Sequence, residues 1–218
     1  MVKICGINSA DTADAAVRAG ADFAGLVFHA KSPRNLASEQ AASLAVRMRG
    51  RVRLVAMLVD PADEAITTAI AAVTPDFIQL HGAETPARAG AIRSRFGIPV
   101  IKVISVAEAS DFADVARFED AADMLMFDTK PPPGATREGG LGAAFDWQLL
   151  KGRQFVRPWL LAGGLNAENV ARAIQLTDAP GVDVSSGVET APGKKSAELI
   201  AQFTATAKAA HYASETRA

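Results

Sequence analysis

Eight short apolar segments, separated by stretches with helical spacing, constrain the fold of this chain more than any other feature of its sequence. Segments this short and this apolar are typical of parallel strands buried on both faces. Eight strand–helix units within 218 residues predict an α/β fold, a single-domain (β/α)8 TIM barrel. An open, doubly wound sheet is the alternative, which the regular repeat and the lack of a nucleotide fingerprint disfavour. The predicted strands are Val2–Cys5, Phe23–Phe28, Val52–Val59, Phe77–Leu80, Val100–Ser105, Met124–Phe127, Trp159–Ala162 and Val182–Val184.

Capping residues mark the starts of several helices between these strands. Asp60-Pro61 and Thr85-Pro86 each place a capping side chain before a proline at the first helical position, and Asn166 caps a later helix. Because no linker or change of composition interrupts the pattern, residues 1–210 are predicted to form one barrel domain. Residues 211–218 are polar and are predicted to be a frayed C-terminal tail.

The composition excludes several classes of protein. The 23 basic and 24 acidic residues nearly cancel, which argues against a nucleic-acid-binding protein. A single cysteine allows no internal disulfide and suits a reducing compartment. No apolar segment is long enough to span a membrane, and the first strand begins at Val2 without a signal-peptide pattern. We therefore expect a cytoplasmic protein with no nucleic-acid or membrane partner.

Two candidate catalytic residues stand where predicted strands end. Cys5, the only cysteine, ends the first strand, and Asp128 follows the sixth. A lone cysteine is more often a small buried hydrophobe, and an aspartate after a strand is often a turn or capping residue. In a strand–helix barrel, however, the carboxyl ends of the strands form the active site. Burial there raises the pKa of a carboxyl group and suits a general acid.

Other strand ends carry residues that fit an anionic small molecule. Arg34, in the loop after the second strand, is able to grip a carboxylate with two parallel hydrogen bonds. His81, after the fourth strand, is a candidate for orienting the substrate. Both residues have ordinary alternatives, a solvated loop arginine and a histidine that only bonds within its strand end.

The ends of the last two strands predict a phosphate site. Gly163 and Gly164 follow the seventh strand, and Ser185, Ser186 and Gly187 follow the eighth. Glycines let backbone N–H groups approach an anion closely, and serine hydroxyls add donors. Barrels often hold a phosphate between these two loops. Because metal-ligand spacings and dinucleotide fingerprints are missing, we expect no metal and no organic cofactor.

Taken in order, these motifs resemble the phosphoribosylanthranilate isomerase family of tryptophan biosynthesis. Each motif alone is weak, but they follow one another along nearly the whole chain. The matching segments are Lys3-Ile4-Cys5-Gly6-Ile7, Ser32-Pro33-Arg34, Gln79-Leu80-His81-Gly82, Phe127-Asp128, Gly139-Gly140-x-Gly142 to Phe145-Asp146-Trp147, Leu161-Ala162-Gly163-Gly164-Leu165 and Gly181-Val182-Asp183-Val184-Ser185-Ser186-Gly187-Val188-Glu189. Small departures at His29-Ala30 and at Pro131-Pro132-Pro133 affect no residue to which chemistry is assigned.

The resemblance implies an Amadori rearrangement of N-(5'-phosphoribosyl)anthranilate to 1-(2-carboxyphenylamino)-1-deoxyribulose 5-phosphate. Asp128 would protonate the ring oxygen, and Cys5 would remove the proton from C2 of the opened sugar. Arg34 would hold the anthranilate carboxylate, the two strand-end loops would hold the phosphate, and Asp183 would contact the substrate. The glycine-rich segment 129–145 would close over the site. The resemblance leaves open a monomer or a homodimer.

Three other interpretations compete with this one. A non-catalytic barrel that binds a phosphorylated metabolite would keep the glycines and serines, but it would have no need of Cys5 or Asp128. Indole-glycerol-phosphate synthase resembles this fold, yet it usually has extra N-terminal helical residues and relies on a catalytic lysine. A metal-dependent pentose-phosphate epimerase needs histidines at strand ends, and the chain has three histidines in all.

Overall fold

The computed structural model describes residues 1–130 and 144–215, and these residues form a closed barrel of eight parallel strands. Each strand pairs with the next, and the first strand pairs with the eighth, so the TIM barrel is confirmed and the open sheet is excluded. The strands are β1 (Val2–Cys5), β2 (Phe23–Val27), β3 (Arg53–Leu58), β4 (Phe77–Leu80), β5 (Val100–Val106), β6 (Met124–Thr129), β7 (Trp159–Leu161) and β8 (Val182–Val184). A short hairpin follows, made of β9 (Glu189–Ala191) and β10 (Lys194–Lys195).

The helices form the outer layer. The α-helices are α1 (Ala10–Ala19), α2 (Ser38–Met48), α3 (Asp63–Val73), α4 (Pro86–Phe96), α5 (Val115–Ala121), α6 (Val170–Thr177) and α7 (Ala197–Glu215). Short 3₁₀ helices cover Ala109–Phe112, Trp147–Leu150 and Ser186–Val188. Within the described ranges, no helix combines the length and apolarity needed to cross a membrane.

Two separate apolar clusters show how the strands distribute their side chains. The larger cluster packs the outer faces of the strands against the helices. The smaller cluster contains alternate residues of β2, β3, β5, β6 and β7, such as Phe23, Val55, Ile101 and Met126, and fills the barrel interior. Since Phe23 is the register partner of Lys3, alternation along β1 turns both Lys3 and Cys5 toward the interior.

Aspartates at the opposite end of the barrel tie neighbouring strands together. Asp22, Asp76 and Asp123 each precede an even-numbered strand, and each accepts the backbone N–H of a residue at the start of the preceding odd-numbered strand. The donors are the N–H groups of Val2, Leu54 and Val100, at 2.7, 2.6 and 2.9 Å. Each contact satisfies a backbone donor that the parallel ladder leaves unpaired at the strand start.

The helix starts differ from the sequence-based prediction at two places. Thr85 caps α4 as predicted, its hydroxyl accepting the Arg88 N–H at 3.2 Å. Asp60, however, adopts φ +43° and does not cap a helix, and α3 begins at Asp63 instead. Asn166 forms a turn with Asn169, which precedes the first residue of α6. Asp60 donates its backbone N–H to Glu84, and Asn166 accepts the Asn169 N–H. Helix propensity does not capture such loop hydrogen bonds, and both helices begin later in the chain than predicted.

The long loop after β6 and the C-terminal tail are the two irregular segments that the sequence predicts. The predicted loop 129–145 lies mostly outside the described residues, since 131–143 are not described. The C-terminal helix continues past residue 210 to Glu215, so residues 211–215 of the predicted frayed tail are helical. His211 Nε2 lies 2.9 Å from the Ala179 carbonyl oxygen, and this contact holds the helix against the barrel beyond residue 210.

Candidate active site

Cys5 lies at the carboxyl end of β1 and is almost completely buried. The next residue, Gly6, adopts φ +80°, and a Cβ at this position would collide with the side chain of Arg34. A glycine is therefore required here, because it turns the chain and lets Arg34 cross the end of the strand. Burial raises the pKa of the Cys5 thiol above its ordinary value, against the opposing charges of Lys3 and Lys195.

Asp128, in β6, faces the interior beside His81. Its Oδ2 lies 3.3 Å from His81 Nε2, and its Oδ1 accepts the Thr129 backbone N–H at 2.7 Å. On the other side of the imidazole, His81 Nδ1 lies 3.3 Å from the side-chain nitrogen of Gln79, which is fully buried in β4. The imidazole thus lies between the Gln79 side-chain amide and the carboxyl group of Asp128, the candidate acid.

Arg34 is buried and already has a carboxylate partner. Its Nε and Nη2 donate to the two carboxylate oxygens of Glu189 at 2.6 and 2.7 Å, the bidentate geometry typical of arginine. Lys195 also donates to Glu189, at 3.1 Å. Burial acts to raise the pKa of Glu189, but the Arg34 hydrogen bond and the Lys195 charge outweigh it and hold the pKa below its ordinary value. A substrate carboxylate would therefore meet the remaining Nη1 edge of Arg34.

The two predicted phosphate loops lie against each other. Gly163 and Gly164 have φ values of +86° and +64°, a conformation that favours glycine. A Cβ on Gly187 would collide with the Leu165 carbonyl, so the loop after β8 rests directly on the loop after β7. A Cβ on Gly163 would lie 3.1 Å from Asp128 Oδ1, which places this loop next to the candidate acid.

Ser185 and Ser186 follow β8 and are half-buried. Ser186 begins the 3₁₀ helix that ends at Val188. Lys195 Nζ donates to the Ser185 carbonyl oxygen at 3.0 Å and so ties the serine loop to the β9–β10 hairpin. The serines therefore stand beside the glycine loop after β7.

Asp183 lies within β8, and its side chain points into the barrel. Its Oδ1 accepts a hydrogen bond from Lys3 Nζ at 2.6 Å, and the Lys3 side chain is completely buried. The predicted contact between Asp183 and substrate therefore has a competing partner inside the protein.

Sequence reasoning missed several polar residues of this site. Lys3 and Gln79 stand in matching motifs but were given no role, although alternation from Cys5 and from His81 would have turned them inward. Gly25 was missed as well, and a Cβ there would lie 2.9 Å from Cys5 Sγ. Glu189 and Lys195 belong to a hairpin that the pattern of apolar segments does not reveal.

The arrangement combines a buried thiol, a buried carboxyl group and a mouth lined by glycine and serine loops. A thiol and a carboxyl group on different strands are able to exchange protons with different atoms of one bound molecule. Among residues 1–130 and 144–215, no group of three or more histidine, cysteine, aspartate or glutamate side chains is placed to hold a metal ion. The thiol, the carboxyl group and the glycine and serine loops fit general acid–base chemistry on an anionic small molecule.

Sequence comparisons give matches over nearly the whole chain. Residues 2–206 match the model of the family described as N-(5'-phosphoribosyl)anthranilate (PRA) isomerase. The N-(5'-phosphoribosyl)anthranilate isomerase of Paracoccus denitrificans is 51% identical over 208 residues, which cover 95% of this chain and 97% of that protein. The isomerase of the same name from Rhodopseudomonas palustris is 47% identical over 210 residues, covering 96% and 99%.

Solved structures show the same similarity. The crystal structure of phosphoribosyl anthranilate isomerase from Thermotoga maritima superimposes with a TM-score of 0.85 at 36% identity, covering 95% of this chain and 98% of that one. A phosphoribosyl anthranilate isomerase in complex with reduced 1-(o-carboxyphenylamino)-1-deoxyribulose 5-phosphate superimposes with a TM-score of 0.81 at 34% identity, with the same coverage. The similarity in sequence and in structure extends over nearly the whole chain.

Proposed function

The chain belongs to the N-(5'-phosphoribosyl)anthranilate isomerase family, and we propose that Cys5 and Asp128 are the base and the acid of its reaction. The protein is an isomerase of tryptophan biosynthesis that converts N-(5'-phosphoribosyl)anthranilate to 1-(2-carboxyphenylamino)-1-deoxyribulose 5-phosphate. The observation that carries the assignment is the burial of Cys5 and Asp128 at the same end of one barrel, on β1 and β6.

The first step belongs to Asp128. Its carboxyl group gives a proton to the ring oxygen of the ribose, the bond between C1 and that oxygen breaks, and a protonated Schiff base forms with the anthranilate nitrogen. His81 orients the carboxyl group through its contact with Oδ2, and the Thr129 N–H fixes Oδ1. The hydrogen bond from Thr129 limits the rotation of the carboxyl group, and the imidazole beside it helps to aim it at the ring oxygen.

The second step belongs to Cys5. The positive Schiff base acidifies the C2 proton, and the thiolate removes it to give an enolamine that tautomerises to the ketone. One proton has entered at the ring oxygen and one has left from C2, so the isomerisation is balanced without a co-reactant. The thiol must be deprotonated to act, because only the thiolate is an effective base.

The remaining site residues bind the two ends of the substrate. Gly163, Gly164 and the segment Ser185–Gly187 hold the phosphate with backbone N–H and hydroxyl donors, and Arg34 binds the anthranilate carboxylate through its Nη1 edge. Contacts at both ends fix the sugar between acid and base, so binding energy supports the reacting geometry. Because Oδ1 of Asp183 accepts the hydrogen bond from Lys3, a contact between Asp183 and the substrate would use Oδ2.

The enzyme is also proposed to act in the cytoplasm, where its single cysteine remains reduced, as a monomer or a homodimer. One of the similar solved structures is that of monomers generated from the dimeric isomerase of Thermotoga maritima.

The test is a fluorescence assay that follows freshly generated N-(5'-phosphoribosyl)anthranilate without added metal. Cys5→Ser and Asp128→Asn are each expected to lower kcat by about a hundredfold or more, with KM nearly unchanged. Asp120→Asn, an exposed aspartate on α5, is the matched control and should keep the wild-type rate. A near-wild-type kcat in either site variant would show that the base or the acid lies elsewhere.

A further inference from the structure

A buried ammonium group stands next to the candidate base. Lys3 is completely buried in the barrel and ion-paired with Asp183 at 2.6 Å. Lys3 and Cys5 are two residues apart on β1, so both point inward. A Cβ on Gly25 would lie 3.3 Å from Lys3 Nζ and 2.9 Å from Cys5 Sγ, which places the two atoms over the same glycine. An apolar side chain would fill this space at lower desolvation cost, so packing alone does not explain a lysine here.

The charges facing the thiol come from three elements. Lys3 lies on β1, Asp183 on β8 and Lys195 on β10. Burial raises the pKa of the Cys5 thiol, the charge of Lys3 lowers it, Asp183 raises it and Lys195 lowers it. Two further charged residues, Arg34 and Glu189, are paired with each other at the adjacent loop.

The pKa values of the two lysines are shifted in opposite directions. Burial acts to lower the pKa of Lys3, but Asp183 and the thiol outweigh burial and the pKa is raised, so Lys3 remains an ammonium at neutral pH. Burial lowers the pKa of Lys195 in spite of Glu189. The hydrogen bonds of Lys195 go to Glu189 and to the Ser185 carbonyl, and these contacts serve the loop rather than the thiol.

We propose that Lys3 is a positioning residue that acts through Cys5: held by Asp183, its ammonium group stabilises the thiolate that removes the C2 proton. This inference rests on the proposed role of Cys5 as the base. Lys3 keeps its proton throughout and forms no bond to substrate. Asp183 fixes the ammonium over Gly25, which gives this aspartate a role inside the barrel whether or not it touches substrate.

The direct test is the titration of the thiol. Because the chain has one cysteine, the ultraviolet absorbance of the thiolate reports on Cys5 alone once the Cys5→Ser protein is subtracted as a blank. In Lys3→Met, the midpoint of the thiol titration is expected to move upward by about one pH unit or more. Lys3→Met/Asp183→Asn should show a smaller rise, because it also removes the carboxylate that opposes the thiolate.

The double variant keeps the test valid if the single variant fails to fold. It leaves no unpaired carboxylate in the barrel, and a buried ion pair is replaced by neutral groups more easily than it is broken. Lys102→Met is the matched control. Lys102 is a second buried lysine, paired with Glu84 at 2.6 Å and near the Phe118 ring on the outer side of the barrel, and its loss should leave the thiol titration unchanged.

Activity measurements separate the inference from the function on which it rests. The acid limb of the kcat/KM profile of Lys3→Met should move upward with the thiol, which lowers kcat/KM at neutral pH about tenfold per unit and restores it at higher pH. Identical thiol titrations in wild type, single and double variants would overturn the coupling between Lys3 and Cys5. A shifted titration with an unmoved acid limb would overturn the role of Lys3 in turnover, together with that of Cys5 as the base.

Discussion

Gly25 leaves open the space in which Cys5 and Lys3 meet. We expect Gly25→Ala to lower kcat/KM by about tenfold or more, because the added methyl group would press on the thiol and on the ammonium and displace them from the reacting geometry. The Cys5 Cα lies 3.1 Å from the same position, so the backbone of β1 would also have to shift. The measurement is steady-state kinetics on the folded variant, with circular dichroism to confirm the fold.

Gly90→Ala is the control for this substitution. Gly90 lies in α4, where an added Cβ has only Ala121 Cβ nearby, at 3.9 Å. Alanine in a helix interior is favoured over glycine by about 0.5–1 kcal/mol, so this variant should be slightly more stable and fully active. Full activity in Gly25→Ala would mean that the thiol works from a position away from the lysine.

At the scale of elements, the β9–β10 hairpin brings charged residues to the mouth of the barrel. Gly193, between its strands, has φ +77°, and a Cβ there would lie 2.7 Å from the Pro33 carbonyl oxygen. The Asn8 side chain donates to the Gly193 carbonyl at 2.8 Å. The hairpin therefore rests on the loops after β1 and β2, and Glu189 joins it to Arg34.

Glu189→Gln should loosen this attachment in a pH-dependent way. Because the folded pKa of Glu189 lies below its ordinary value of 4.5, the carboxylate stabilises the fold fully above that value, and the contribution is lost as the pH falls through the folded pKa. At pH 7 the variant should lose about 1–3 kcal/mol of unfolding free energy and show a raised KM, since Arg34 loses its anchor. Urea unfolding at neutral and at acidic pH measures the difference.

The comparison variant is Glu168→Gln, at an exposed position before α6. Its unfolding free energy should stay within about 0.5 kcal/mol of wild type at both pH values. A difference between wild type and Glu189→Gln that does not shrink in acid would contradict the ion-pair explanation.

At the scale of the whole molecule, the barrel interior changes character along its axis. Apolar side chains such as Phe23, Ile101 and Met124 belong to the interior cluster, whereas Asp128 and Cys5 stand at the carboxyl ends of their strands. A packed apolar layer supports stability, and the polar end holds the chemistry. The Lys3–Asp183 ion pair lies inside the barrel, beside the candidate base.

The sequence predicted the bounds of three strands to the residue, but it gave no role to several polar neighbours of the site. Val2–Cys5, Phe77–Leu80 and Val182–Val184 have the same bounds in sequence and structure, because short apolar runs in a parallel barrel have few alternatives. No role was assigned to Lys3, because its pairing with Asp183 joins two strands that lie far apart in the sequence. Glu189 was part of a recognised motif, but its pairing with Arg34 joins residues 155 positions apart and leaves no local signal.

Closure of the barrel depends on contacts between the two ends of the chain. The amino group of Met1 donates to the Pro180 carbonyl at 2.8 Å, and β1 pairs with β8. The last helix, α7, packs against α1, α6 and β1, so it covers the seam from outside. Lys3 and Asp183 span this same seam from inside, and the last helix thereby supports the strands that hold the candidate base.

Phe203→Ala tests this dependence, because Phe203 is completely buried on α7. Removing the ring leaves a cavity behind the seam, and we expect a loss of about 3–5 kcal/mol in unfolding free energy. At low temperature, kcat per folded molecule should be unchanged, because Phe203 is not a residue of the proposed site. On heating, activity should be lost in the same transition as the helical circular dichroism signal. Gln202→Ala, on an exposed residue of the same helix, should change stability by less than about 0.5 kcal/mol. If Phe203→Ala lost its helical signal while activity persisted, the last helix would be a separate unit and the seam would hold without it.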